Sequence, residues 1–225
     1  MGIIYAIVSS IFFAFGFTSL KKSYEEFPSS IAFFFDMLFG LLIWIPFAIF
    51  SGLNWNEILH VLPFALVSAI LSEAYVFYVL SKGELSITGT IIASYPLYTI
   101  LFAFILLQER LDLLVWLFVI ITILGTIISS FPRNISREEL KKKSYILWAI
   151  SAAIAIGLSD TISKGSIDSA SASSFLFALG IMQIPVSLGY LKFEKENLSN
   201  IPQYIKDIKK YKYSVIGSIL NVTGV

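Results

Sequence analysis

Residues Ser94 to Trp116 read SYPLYTILFAFILLQERLDLLVW: an apolar run opened by a proline, a Gln-Glu-Arg knot, then a second apolar run. In a soluble core neither the proline nor the charged knot has an easy explanation. Two membrane-spanning helices meeting at a tight turn explain both. The connection Gln108–Asp112 is five residues long and allows only an antiparallel hairpin. Pro96 removes an amide donor and clashes with the preceding turn, so a bend or unwound turn is expected near Ile92. Carbonyls freed at that depth are tolerated only inside protein or beside water. The bend therefore either lines a cavity or is a structural kink.

Composition supports the membrane. Of the 225 residues 57% are hydrophobic and 14% charged, with mean hydropathy +0.83, whereas soluble domains are about 25% charged. A net charge of +1 points to no nucleic acid partner. The absence of cysteine excludes disulfides and thiolate chemistry. No Walker loop, dinucleotide glycine pattern or HExxH is present, so no cofactor or metal is expected. One histidine, His60, cannot build a zinc site and reads as interfacial. Residues 3–20 follow no basic region and precede no cleavage site, which marks a retained span and not a signal peptide.

A crossing helix needs about 20 apolar residues. Seven segments qualify: Ile3–Leu20, Ile31–Phe50, Val61–Leu80, Leu85–Leu107, Leu113–Phe131, Tyr145–Ile162 and Ser173–Leu191. An eighth, Tyr213–Val225, has 13 residues, about 20 Å of helix, so the chain is expected to stop inside a span. Fourteen of the 16 Lys and Arg fall on one side of this arrangement, leaving Arg110 and Lys164 on the other. Basic loops stay cytoplasmic. The expectation is a multi-pass cell-membrane protein with its N-terminus outside and the loops at 132–144 and 192–212 inside. Trp44, Trp55, Trp116 and Trp148 are expected near span ends.

A shift of 141 residues aligns Ser10, Ala14, Gly16 and Thr18 with Ser151, Ala155, Gly157 and Ser159. These are small-residue ridges of the kind that let membrane helices approach closely. Slightly smaller shifts align Gly40 with Gly180 and Pro46 with Pro185. Five spans separate the copies, and an odd number forces the second to enter from the opposite side. The connection at 51–60 has no Lys or Arg and its counterpart at 192–212 has six, as expected if matching loops face opposite compartments.

With Pro96 in the fourth span and Glu109-Arg110-Leu111 before the fifth, the chain resembles the EamA-like family of the drug/metabolite transporter superfamily. The resemblance implies an all-α polytopic fold of ten helices in two inverted five-helix repeats, about seven and a half of them present here. It divides the chain into a first repeat at 1–131, a basic cytoplasmic linker at 132–144 and an incomplete second repeat at 145–225. It also implies a secondary transporter, not an enzyme, that exports a small organic metabolite such as an amino acid or amine by alternating access. The family's usual glycine before the glutamate is Gln108 here, and Asp36 stands on the helix where an arginine is common. The family's termini are usually drawn in the cytoplasm.

Glu73 is the sharpest candidate. A carboxylate in mid-span costs at least about 2.5 kcal/mol by insertion scales, so it faces a wet cavity, takes a partner or is protonated. Proton coupling is compatible with any of these. Phe77 shares its face, and Tyr95, Pro96 and Tyr98 would contribute from the fourth span. Thr18 and Asp160 would join them at a solute site between the repeats. Asp36 and Asp160 read equally as interfacial charges, with Lys164 one turn beyond Asp160 as an i,i+4 partner. Glu109 is expected to bond the first amides of the next helix. Ser136-Arg-Glu-Glu139 reads as a capping box, and Tyr204, Ile205, Ile208 and Tyr211 as a stripe lying on the membrane surface. The alternatives to a carrier are a membrane-embedded enzyme and a non-transporting helical scaffold. Oligomeric state is not legible.

Overall fold

In lipid a backbone must satisfy its own polar groups, and helix is the only regular structure among the described residues. The computed structural model describes residues 2–26, 28–83, 85–110, 112–130, 145–206 and 211–224. The first half contains α1 (Gly2–Ser23), α2 (Ser29–Phe50), α3 (Trp55–Ser68), α4 (Tyr75–Lys82), α5 (Leu85–Ile92), α6 (Tyr95–Leu106) and α7 (Leu113–Ser130). The second contains α8 (Tyr145–Ser169), α9 (Ala172–Phe193), the short α10 (Ile201–Lys206) and α11 (Lys212–Gly224). Among the described residues five rods are long and apolar enough to cross a membrane by length and composition: Ser29–Phe50, Trp55–Lys82, Ile87–Leu106, Tyr145–Ser169 and Ala172–Phe193. Helices α1 and α7 add 22 and 18 residues. The chain is an all-helical polytopic membrane protein.

Local chemistry sets the boundaries. Asn54 caps α3 by accepting from Asn56 N at 3.2 Å, and Ser171 caps α9 by accepting from Ser174 N at 3.3 Å. The fourth span breaks at Ala93–Ser94, with Pro96 in the first turn of α6. Pro96 cannot donate to the Ile92 carbonyl, so the rod ends and restarts. Beyond α6, Gln108 adopts φ 55°, a left-handed conformation that turns the chain towards α7. A side chain there costs about 1–2 kcal/mol. Glycine avoids that strain but loses more entropy on folding, so Gln108→Gly should raise stability by up to about 1 kcal/mol. Thermal unfolding in detergent reads this as a small upward shift in midpoint; a downward shift would refute the strain.

Helix directions follow from cross-contacts. Ser9 of α1 donates to Gly224 O of α11, and Lys22 at the other end of α1 donates to Tyr213 at 3.0 Å. Ser29 of α2 meets Tyr190 of α9 at 2.6 Å, while Ser173 donates to Gly52 O at 3.4 Å. Ser68, Ser72 and Tyr75 bond Ser163, Ser159 and Ser151 in that order. Each pair is antiparallel. Helices α8 and α9 therefore run opposite to α1 and α2, their counterparts under the 141-residue shift. The packing is reciprocal: α1 lies on α11, α8 on α3, and α2 on α9 between them.

Glycines mark two close helix crossings, Gly157 on α8 and Gly217 on α11. A Cβ on Gly157 would lie 2.6 Å from Thr99 N and from Tyr98 Cβ, and one on Gly217 only 2.8 Å from Leu20 N. Any side chain at either position would force the backbones apart, and close approach is the main attraction available between helices in lipid.

Several expectations are corrected. Trp44 is buried, with its indole donating to Val222 O at 2.8 Å, so it braces α2 against α11 and is not an interface anchor. Lys164 pairs with Glu109 across the α6–α7 turn and not with Asp160. Glu109 accordingly ties that turn to α8. Tyr204 and Tyr211 pack on a cluster containing Leu20, Phe33 and Tyr190, with rings 5.6 Å apart. That part of the stripe faces protein. Ile208 and the 136–139 capping box lie outside the described residues. His60 is exposed, its ring 5.9 Å from Phe64.

Candidate functional site

The reversed helices leave a cavity of about 1220 Å³ between them, walled by α1 to α6, α8 and α9 and touched by α11. Its lining reaches Ser51 and Ser173 at one end of the bundle. At the other end Leu20, Phe33, Phe77, Tyr190 and Leu191 close into a packed cluster. That packed cluster lies towards the side carrying Lys21, Lys22 and Lys82, where Leu85 at the start of α5 also lines the cavity.

One local distortion delivers Glu73. Residues Ala69–Ala74 form a π-helical turn, in which Tyr75 N bonds Ile70 O five residues back. The extra residue shifts the helical register between α3 and α4. π-Turns commonly mark functional sites, and here Glu73 sits inside one, 9% exposed and facing the cavity. Ser72 beside it accepts from Ser159 at 3.1 Å and donates to Ser68 O at 2.8 Å. These hydroxyls tie α8 to the distorted turn.

Two more carboxylates surround Glu73. Asp160 lines the cavity from α8 and accepts from Thr99 at 3.3 Å. Asp36 is fully buried on α2; its Oδ1 accepts from Asn221 Nδ2 at 3.1 Å, while Oδ2 has no partner among the described residues. Asn221 also lines the cavity and stands beside the Glu73 carboxyl, so its amide lies between two acids. Asp36 is therefore a core residue behind the cavity wall, neither interfacial nor in the lining.

Of the residues singled out in sequence, Thr18, Glu73, Phe77, Tyr95, Pro96 and Asp160 line this one cavity. Tyr98 does not; its Cβ sits against the Gly157 backbone, where it packs α6 on α8. Tyr75 bonds Ser151 at 2.6 Å, and the Tyr78 ring stands between Trp148 and Phe193. Sequence reasoning missed Asn221, Ser72 and the aromatic wall of Phe13, Phe17, Phe47 and Phe175. The phenylalanines carry no signal among twenty in the chain. Asn221, an amide in an apolar segment, was a signal of the kind that singled out Glu73.

The ends of the bundle carry a reciprocal pair of acids. At the α9 C-terminus, Glu194 accepts from Ser30 N at 2.8 Å and from the Ser29 hydroxyl at 3.1 Å, capping α2. At the opposite end Glu57, in the first turn of α3, accepts from Ser171 N at 2.9 Å and Ser171 Oγ at 2.7 Å, capping α9. Each acid follows one helix of the reversed pair and holds the N-terminus of the other, where the helix dipole favours negative charge.

No curated protein and no solved structure matches the chain. Residues 1–131 match the EamA-like transporter family, described by that name. That match covers more than half of the chain, through the fourth-span break, the Glu109 turn and α7. The reversed helices, the mid-span cavity and this match together make the chain a member of the EamA-like transporter family, a multi-pass membrane transporter of the drug/metabolite type.

Proposed function

We propose that this chain exports a small organic metabolite across the cell membrane by alternating access, as a secondary transporter. Residues 1–131 and 145–225 are the two moving units, with 132–144 as the linker between them. The solute sits in the mid-span cavity against Glu73, Phe77, Tyr95, Pro96, Asp160 and Thr18. The observation that carries the reading is the reciprocal pair of caps. Alternating access needs two inter-unit contacts at opposite ends, each releasable while the other holds. Glu57 and Glu194 have that arrangement. Glu73 can hold either a proton or a positively charged solute, so proton exchange is the coupling proposed.

Inside-out vesicles containing the protein should accumulate a radiolabelled member of a panel of amines and amino acids above protein-free vesicles. Accumulation should rise with an imposed proton gradient. Equal uptake across the whole panel, with the protein inserted, would leave a helical scaffold as the better reading.

A further inference from the structure

We infer that the cavity selects an organic cation, an amine carried on an apolar or aromatic body, in preference to a zwitterion, an anion or a neutral solute. This rests on the transport reading above and narrows its solute.

The charge inventory is one-sided. Among the described lining residues Glu73 and Asp160 are acidic, and none is Lys, Arg or His. Four lysines on the surrounding helices are engaged outside the lining. Lys21 donates to Leu80 O at 2.9 Å, Lys22 to Tyr213 at 3.0 Å, and Lys164 to Glu109. Lys82 lies over the Tyr78 ring at 4.8 Å. Behind the wall Asp36 adds a third carboxyl, reached through Asn221. Acids without a cationic partner at this depth are expensive. An entering cation offsets that cost, whereas an entering carboxylate adds to it.

The remaining surface suits such a guest. Phe13, Phe17, Phe47, Phe77, Tyr95 and Phe175 line the space with aromatic rings, whose faces attract ammonium groups. Pro96 cannot donate to the Ile92 carbonyl, and both residues line the cavity, which puts a further acceptor at its edge. Ser72 and Ser159 offer hydroxyl oxygens at the level of Glu73.

The test is calorimetric binding to the purified chain in detergent with three probes of one shape: 2-phenylethylamine, 2-phenylethanol and phenylacetate. The amine should bind at least roughly tenfold tighter than either of the others, the scale of one hydrogen bond to a charged group. Glu73→Gln and Asp160→Asn should each remove most of that preference, and Glu73→Asp should keep it. All variants must show the wild-type melting profile, which separates lost recognition from lost folding. Equal binding of alcohol and amine, or a preference untouched by both amide variants, overturns the cation assignment. Vesicle flux separates the two readings. Flux of a neutral or anionic metabolite alone leaves transport standing and removes the cation. No flux of any probe by inserted protein removes transport as well.

Discussion

Glu73→Gln should abolish solute flux while leaving the protein inserted and folded. The amide has nearly the shape of the carboxyl, so the π-turn at Ala69–Ala74 and the neighbouring Ser72 bonds need not change. What disappears is an ionisable carboxyl in the cavity wall, the group that would meet a cation or carry a proton. Removing one partner of a desolvated charge pair costs about 2–5 kcal/mol, so flux should fall roughly a hundredfold or more. Tyr98→Phe is the control: both lie near mid-span, but Tyr98 packs on Gly157 and is outside the lining. Its flux should match the unmodified chain. If Glu73→Gln transports normally, or Tyr98→Phe fails as badly, the site is misplaced.

Breaking the two end caps should expose the cavity from opposite sides. Glu57→Gln weakens the bonds from Ser171 N and Oγ, and Glu194→Gln weakens those from Ser30 N and Ser29 Oγ. The chain has no cysteine, so a single Ala93→Cys in the lining supplies one alkylation site. Glu57→Gln should speed its modification by an impermeant maleimide from the side bearing residues 51–60. Glu194→Gln should speed it from the lysine-rich side. The second effect should be the smaller, because that end also holds the packed cluster in which Phe33 meets Phe77 at 5.3 Å and Tyr190 at 6.1 Å. Acceleration from the same side by both variants would rule out paired gates.

The spans, the α6–α7 hairpin and the break at Pro96 are written in local sequence, as hydropathy, a short polar knot and a missing amide. The reversal is legible because counting spans between matched ridges needs no knowledge of packing. Glu73 stands out because a lone carboxylate in an apolar rod is costly wherever it points. The π-turn is different. It displaces one hydrogen bond per residue and needs no glycine or proline, so nothing at Ala69–Ala74 announces it. Partner choice is also hidden. Lys164 has Asp160 one turn away, yet the α6–α7 turn brings Glu109 to it instead. Asp36 and Asn221 are 185 residues apart in sequence, and only the packing of α11 on α2 joins them. Trp44 shows the same limit: an indole near a span end reads as an interface anchor until a second helix covers it.

The reversed arrangement of the two halves is tested most directly by impermeant thiol labelling in sealed, right-side-out vesicles, with one cysteine at Gly52 and, separately, one at Lys195. Both positions lie at helix ends in the described structure, Gly52 beside Ser173 and Lys195 just beyond the Glu194 cap. Gly52→Cys should label from outside and Lys195→Cys only after the vesicles are opened. Labelling of both from one side would contradict the inverted repeat, and the alternating carrier with it.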